Sequence, residues 1–163
     1  MGIVFSADEM FEIAEELERN GAAFYTSAAE VSSDEGNRAF LLGLAQMEDE
    51  HMKIFNEMRQ TLAGREEQPT VFDPDNMSAS YLQAFADGHV FDLKANPSEF
   101  LSEGITVQEI LRKAIELEKD SIVFYIGMKE MVPPRLGAER VENIIKEEMR
   151  HITVLSDKLS SLQ

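Results

Sequence analysis

The stretch Leu41-Leu42-Gly43-Leu44-Ala45-Gln46-Met47-Glu48-Asp49-Glu50-His51 decides how the chain is read. Leu41, Leu44, Glu48 and His51 recur at three- and four-residue steps, and Phe55, Met58 and Leu62 continue the series. That spacing places all of them on one face of a helix. The face is otherwise apolar and so turns toward a core, where Glu48 and His51 hold two consecutive positions. Burying a carboxylate and an imidazole there costs free energy unless partners meet them.

A second copy of the pair stands at Glu148 and His151, and the two halves match at a constant offset of 100 residues. Ser6 matches Thr106, Glu9 matches Glu109, Glu18 matches Glu118, Phe24 matches Phe124 and Tyr25 matches Tyr125. In both halves, 30 residues separate the lone glutamate from the glutamate of the Glu-x-x-His pair. Ser6-Ala7-Asp8-Glu9 and Thr106-Val107-Gln108-Glu109 read as capping boxes, with Phe5/Met10 and Ile105/Ile110 as hydrophobic staples.

These signals predict four long helices. The first runs to near Val31 with Phe11, Ala14, Glu18, Gly21, Tyr25 and Ala28 on its seam. Ser32-Ser33-Asp34-Glu35 opens the second, which ends near Leu62 or Ala63 with Gly64 as its stop. The third carries Val107, Leu111, Ala114, Glu118, Ser121, Tyr125 and Met128 and ends near Met131. Pro133-Pro134 breaks the chain, and Pro134 is expected as a first-turn proline of the fourth. That helix presents Val141, Ile144, Glu148, His151, Leu155 and Leu159. Each half is thus a helical hairpin.

Between the hairpins, Arg65 to Gly104 holds three of the five prolines and no long periodic pattern. A short helix is expected over Ser78 to Ala86, and Val90-Phe91-Asp92-Leu93 reads as extended or irregular. Phe72, Tyr81, Phe85, Phe91 and Phe100 argue that this crossover packs onto the body. The expected architecture is all-α: one domain over 1–163, with hairpin 7–63, crossover 64–105 and hairpin 106–161. Two hairpins joined in this way form a four-helix bundle whose seams face one another.

Composition narrows the function. The chain has no cysteine, which excludes disulfides, thiolate catalysis and thiolate-bound metal from it. Acidic residues number 31 against 15 basic, a formal charge of −16, so the surface repels nucleic acid and anionic membranes and concentrates cations. No apolar run is long enough for a membrane span, and the start lacks the pattern of a secretory signal. A cytoplasmic protein is expected, with no nucleic-acid or membrane partner.

In the bundle, Glu18, Glu48, His51, Glu118, Glu148 and His151 point into one interior. A metal-free polar core would have to protonate some of its carboxylates, because an isolated buried charge costs several kcal/mol. Two divalent cations instead match four carboxylates, with both imidazoles neutral. Oxygen-rich ligation with one imidazole per ion suits iron or manganese better than structural zinc. Tyr25 and Tyr125 read either as core residues or as hydrogen-bond partners of ligand carboxylates. Gly21 and Ser121, one turn after Glu18 and Glu118, read either as allowing close helix packing or as leaving room beside the metals for a small oxidant. Glu16, Asp49, Glu50, Glu116 and Glu147 turn off the seam toward solvent or neighbours, and His89 lies outside the repeat.

With these residues in place, the chain resembles the rubrerythrin-like branch of the ferritin-like di-iron carboxylate superfamily. The resemblance covers roughly 7–63 and 106–161. It implies two iron ions, with Glu18 and Glu118 as terminal ligands, Glu48 and Glu148 bridging, and His51 and His151 giving one nitrogen each. It also implies reduction of peroxide or dioxygen, or oxidation of ferrous iron. Two departures stand out: Ser121 replaces the extra glutamate usual in the peroxidases, and the four-cysteine rubredoxin domain is missing. Electrons would then come from a separate donor protein, and a homodimer is among the expected assemblies. A ferroxidase or iron-handling role, or a metal-stabilised or iron- or oxygen-sensing bundle, is the alternative.

Overall fold

The structure is a computed structural model and describes residues 7–63, 75–87 and 95–162. Five α-helices follow in order: α1 (Ala7–Val31), α2 (Glu35–Ala63), α3 (Met77–Ala86), α4 (Val107–Met131) and α5 (Ala138–Ser161). No strand occurs among the described residues. None of the helices is long and apolar enough to cross a membrane.

The start of α4 is the capping box read from the sequence. Thr106 Oγ1 accepts from the Glu109 backbone N–H at 3.2 Å, and the Glu109 carboxylate accepts from the Thr106 N–H at 2.8 Å. At the start of α2, Asp34 Oδ1 accepts from the Asn37 N–H at 2.8 Å, satisfying a donor of the first turn. Phe5, Ser6, Gly64, Phe72, His89 and the stretch Val90-Phe91-Asp92-Leu93 lie outside the described residues.

One boundary is corrected. Pro134 does not enter the last helix: it opens a short 3-10 turn, Pro134–Leu136, and α5 begins only at Ala138. Gly137 separates the two with φ 104°, a left-handed conformation that glycine adopts without steric cost.

The two hairpins are α1 against α2 and α4 against α5, and they meet through α1–α4 and α2–α5. The seam residues of α2, Leu41, Leu44, Glu48, His51, Phe55, Met58 and Leu62, are all buried. Apolar side chains form two clusters, one around Phe11, Phe55, Phe124, Met128 and Val141, the other around Phe24, Leu41, Leu44, Leu111 and Leu155. The polar seam positions lie between them.

The crossover docks through α3, which packs on α4. Leu82 and Phe85 are buried, and Tyr81 Oη donates to the Val123 carbonyl at 2.6 Å. Phe100 departs from the expectation that the crossover aromatics pack inward. It is 45% exposed, and the Lys113 ammonium lies 5.6 Å from its ring centroid.

Candidate metal centre

Each hairpin supplies three side chains to the middle of the bundle. Glu18 comes from α1, Glu48 and His51 from α2, Glu118 from α4, and Glu148 and His151 from α5. All six are buried, none more than 3% exposed. The i, i+3 spacing of each Glu-x-x-His pair stacks glutamate and histidine on one helix face. The His51 and His151 rings lie parallel within 18°, with centroids 5.7 Å apart.

Two overlapping groups of donors result. Glu18, Glu48, His51 and Glu148 offer ligand atoms within 4.8 Å of one another, and so do Glu48, Glu118, Glu148 and His151. Glu48 and Glu148 belong to both groups, while each lone glutamate and each histidine belongs to one. Both histidines turn Nδ1 inward. His51 Nδ1 is 3.2 Å from Glu148 Oε1 and 3.5 Å from Glu18 Oε2. His151 Nδ1 is 2.8 Å from Glu148 Oε2 and 3.2 Å from Glu48 Oε1.

These approaches are close without being well-formed hydrogen bonds. Glu18 Oε2, Glu48 Oε1, both Glu148 oxygens and both Nδ1 atoms have no hydrogen-bond partner, although all are buried. Left so, each costs roughly 1–3 kcal/mol. The electrostatics carry the same signature. Burial, with Glu148 beside it, pushes Glu18 up to about 7. Burial, then the charges of Glu148 and Glu18, raises Glu48 well above the carboxylate range, and Glu118 is also raised, chiefly by burial. For His51 burial opposes the charge, but the carboxylates of Glu148 and Glu18 overcome it and carry the group up to about 12. His151 follows the same course, to about 12, with Glu118, Glu148 and Glu48 supplying the charge.

Tyr25 and Tyr125 do more than fill the core. Tyr25 Oη donates to Glu118 Oε1, and Tyr125 Oη donates to Glu18 Oε1 at 2.5 Å. The bonds cross between hairpins, tying each lone glutamate to the opposite half and setting α1 antiparallel to α4. Tyr125 thereby occupies the Glu18 oxygen other than the one that faces His51, whereas Tyr25 shares Glu118 Oε1 with His151 Nδ1, which lies 3.5 Å from it. Tyr125→Phe should therefore lower stability by about 1.5–3 kcal/mol, as expected for a hydrogen bond to a charged group. Urea unfolding measures it; an unchanged midpoint would leave Tyr125 as packing alone.

Gly21 makes room for a ligand-bearing side chain as well as for open space. A Cβ at this position would lie 2.6 Å from Glu48 Oε2. The space beside the glycine holds the Glu48 carboxylate, so a larger residue at 21 displaces Glu48 first. Room for a small molecule exists nearby. A cavity of about 160 Å³ lies between α1 and α4, floored by Glu48 and Glu118 and walled by Gly21, Ser121, Leu17 and Leu117. Ala95 and Pro97 of the crossover also line it.

Two contacts escaped the sequence. Glu147 turns off the seam, as expected, but its Oε2 meets His51 Nε2 at 2.7 Å across the bundle. At the matching place, Met47 Sδ lies 3.1 Å from His151 Nε2. The available signal was that positions 47 and 147 directly precede Glu48 and Glu148 and share the 100-residue register.

No protein-family model matches the chain. A Thermotoga maritima protein described as a ferritin-like diiron-carboxylate protein superposes over 100% of both chains with a TM-score of 0.68, at 22% sequence identity. The fold is therefore that of the ferritin-like four-helix bundles. A stretch of 52 residues is 42% identical to an uncharacterized protein of Archaeoglobus fulgidus, covering 32% of this chain and 81% of that relative. The chain belongs to the same family as this archaeal protein.

Proposed function

We propose that this chain is a di-iron oxidoreductase of rubrerythrin-like type, reducing peroxide or dioxygen with electrons from a separate donor. The observation that carries the metal assignment is the set of buried donor atoms without hydrogen-bond partners on Glu18, Glu48, His51, Glu148 and His151. Cations held between them satisfy these atoms and cancel the carboxylate charge at once. Glu18, Glu48, His51 and Glu148 would hold one ion, and Glu48, Glu118, Glu148 and His151 the other. Three carboxylates and one imidazole in each group fit iron or manganese. When bound, the iron pair supplies the electrons and the Lewis acidity for reducing a small oxidant.

The chain's own residues do the rest. Tyr25 and Tyr125 orient the lone glutamates by donating to one oxygen of each. The cavity beside Glu48 and Glu118 offers a small oxidant a way in, since a water molecule takes only about 30 Å³ of liquid volume. Ser121 lines it without adding a carboxylate. That feature also favours the second reading, a ferroxidase, because the donor set stays symmetric.

The test is steady-state peroxide consumption by iron-loaded protein with an artificial reductant, read beside iron uptake. Turnover supports the oxidoreductase; uptake beyond two ions per chain supports iron handling instead. Neither activity would remove both and leave a metal-stabilised or sensing bundle. Ser121→Leu, which fills the cavity from the wall, should slow reoxidation of reduced protein at least about tenfold with two ions still bound. A tenfold change corresponds to about 1.4 kcal/mol on the barrier. Stopped-flow absorbance measures it, and an unchanged rate would mean that the oxidant enters elsewhere.

A further inference from the structure

His51 and His151 are equivalent in the repeat, but their outward nitrogens meet different groups. His51 Nε2 lies 2.7 Å from Glu147 Oε2, whereas His151 Nε2 lies 3.1 Å from Met47 Sδ. A carboxylate is a strong acceptor for an imidazole N–H, and a thioether sulfur is a weak one. We infer that Glu147 is a positioning residue that makes the metal position beside His51 the tighter of the two.

The inference rests on the metal assignment above. When Nε2–H is donated to Glu147, His51 is held in the tautomer whose Nδ1 lone pair faces Glu18 and Glu148. The same bond fixes the plane of the ring, so less orientational freedom is lost when Nδ1 takes a ligand. A carboxylate on the far nitrogen also makes the imidazole a stronger donor. On the other side, Met47 holds the ring of His151 only weakly. Glu147 itself stands outside both donor groups, and its side chain is 47% exposed. Replacing it removes the bond to His51 without emptying the core.

Metal-free protein titrated anaerobically with Co²⁺, followed by calorimetry and visible absorption, tests this directly. The parent should bind two ions in resolved steps. E147M copies the other half and should weaken the tighter step by roughly 10–100-fold, the usual effect of losing such a partner, with two ions still bound. Exchanging the two residues, E147M with M47E, should restore a tight step, now abolished by H151A. Equal steps in the parent, or an unchanged tight step in E147M, would overturn the inference while leaving the metal site standing. A protein that binds no Co²⁺ would overturn the metal assignment and this inference with it. Circular dichroism of each variant verifies that the helices are intact.

Discussion

Glu148→Ala protein, reconstituted anaerobically with ferrous iron and desalted, should retain at most one ion per chain where the parent retains two. Glu148 is fully buried and belongs to both donor groups. Its two oxygens divide between the halves, one 3.2 Å from His51 Nδ1 and the other 2.8 Å from His151 Nδ1. Truncation takes a donor from both positions at once. Loss of a mere outer partner weakens metal binding by roughly 10–100-fold, so a shared ligand should count for more. Glu118→Ala is the contrasting case, because Glu118 serves one group only. That variant should keep the ion beside His51 and lose the other. Metal analysis of both proteins distinguishes the cases, and two tightly held ions in Glu148→Ala would end the assignment of this cluster as the metal site.

Much of this arrangement is legible in the amino-acid sequence. The seam Leu41, Leu44, Glu48, His51, Phe55, Met58 and Leu62 is a one-dimensional pattern, and helical periodicity alone converts it into a buried face. The repeat then brings Glu118, Glu148 and His151 to the same level as Glu18, Glu48 and His51. Contacts between helices were less accessible. That Tyr25 reaches Glu118 and Tyr125 reaches Glu18 depends on α1 lying antiparallel to α4, which spacing within one helix does not encode. Glu147 was hidden for a related reason. A residue beside the seam can face solvent or the groove to the next helix, and only the packing of α2 on α5 decides between them. Gly21 reads as empty space in a sequence, yet its missing side chain is where the Glu48 carboxylate lies. The delayed start of α5 belongs to the same class, since a proline pair announces a break but not how many residues it takes.

Metal-free and metal-loaded protein should respond to pH in opposite directions. In the metal-free chain Glu18 titrates near 7 rather than at its ordinary 4.5, so between these values the folded state holds the proton that the unfolded state gives up. Stability is then highest below about 4.5 on this account and falls as pH rises through 7. The histidines add to the same trend. Their charged forms are favoured in the folded state up to about 12 against an ordinary 6.5, so their contribution is full below 6.5 and declines above it. For Glu18 alone the loss between about pH 5.5 and its folded value near 7 is on the order of 2 kcal/mol. At about 2–4 °C per kcal/mol for a domain of this size, Glu18 alone should lower the melting temperature by roughly 4–8 °C between about pH 5.5 and 8, and the histidines increase the drop. Bound metal reverses the sign, because it requires the same carboxylates ionised and the imidazoles neutral, and its affinity grows as protons leave. Each position occupied at a hundred times its dissociation constant adds about 2.7 kcal/mol. Thermal unfolding with a chelator and with excess ferrous iron under argon, at both pH values, reads the two slopes. A chelated protein as stable at about pH 8 as at 5.5 would mean that Glu18, Glu48, Glu118 and Glu148 are compensated within the fold itself. The bundle would then have a self-sufficient polar core, with no call for cations to complete it.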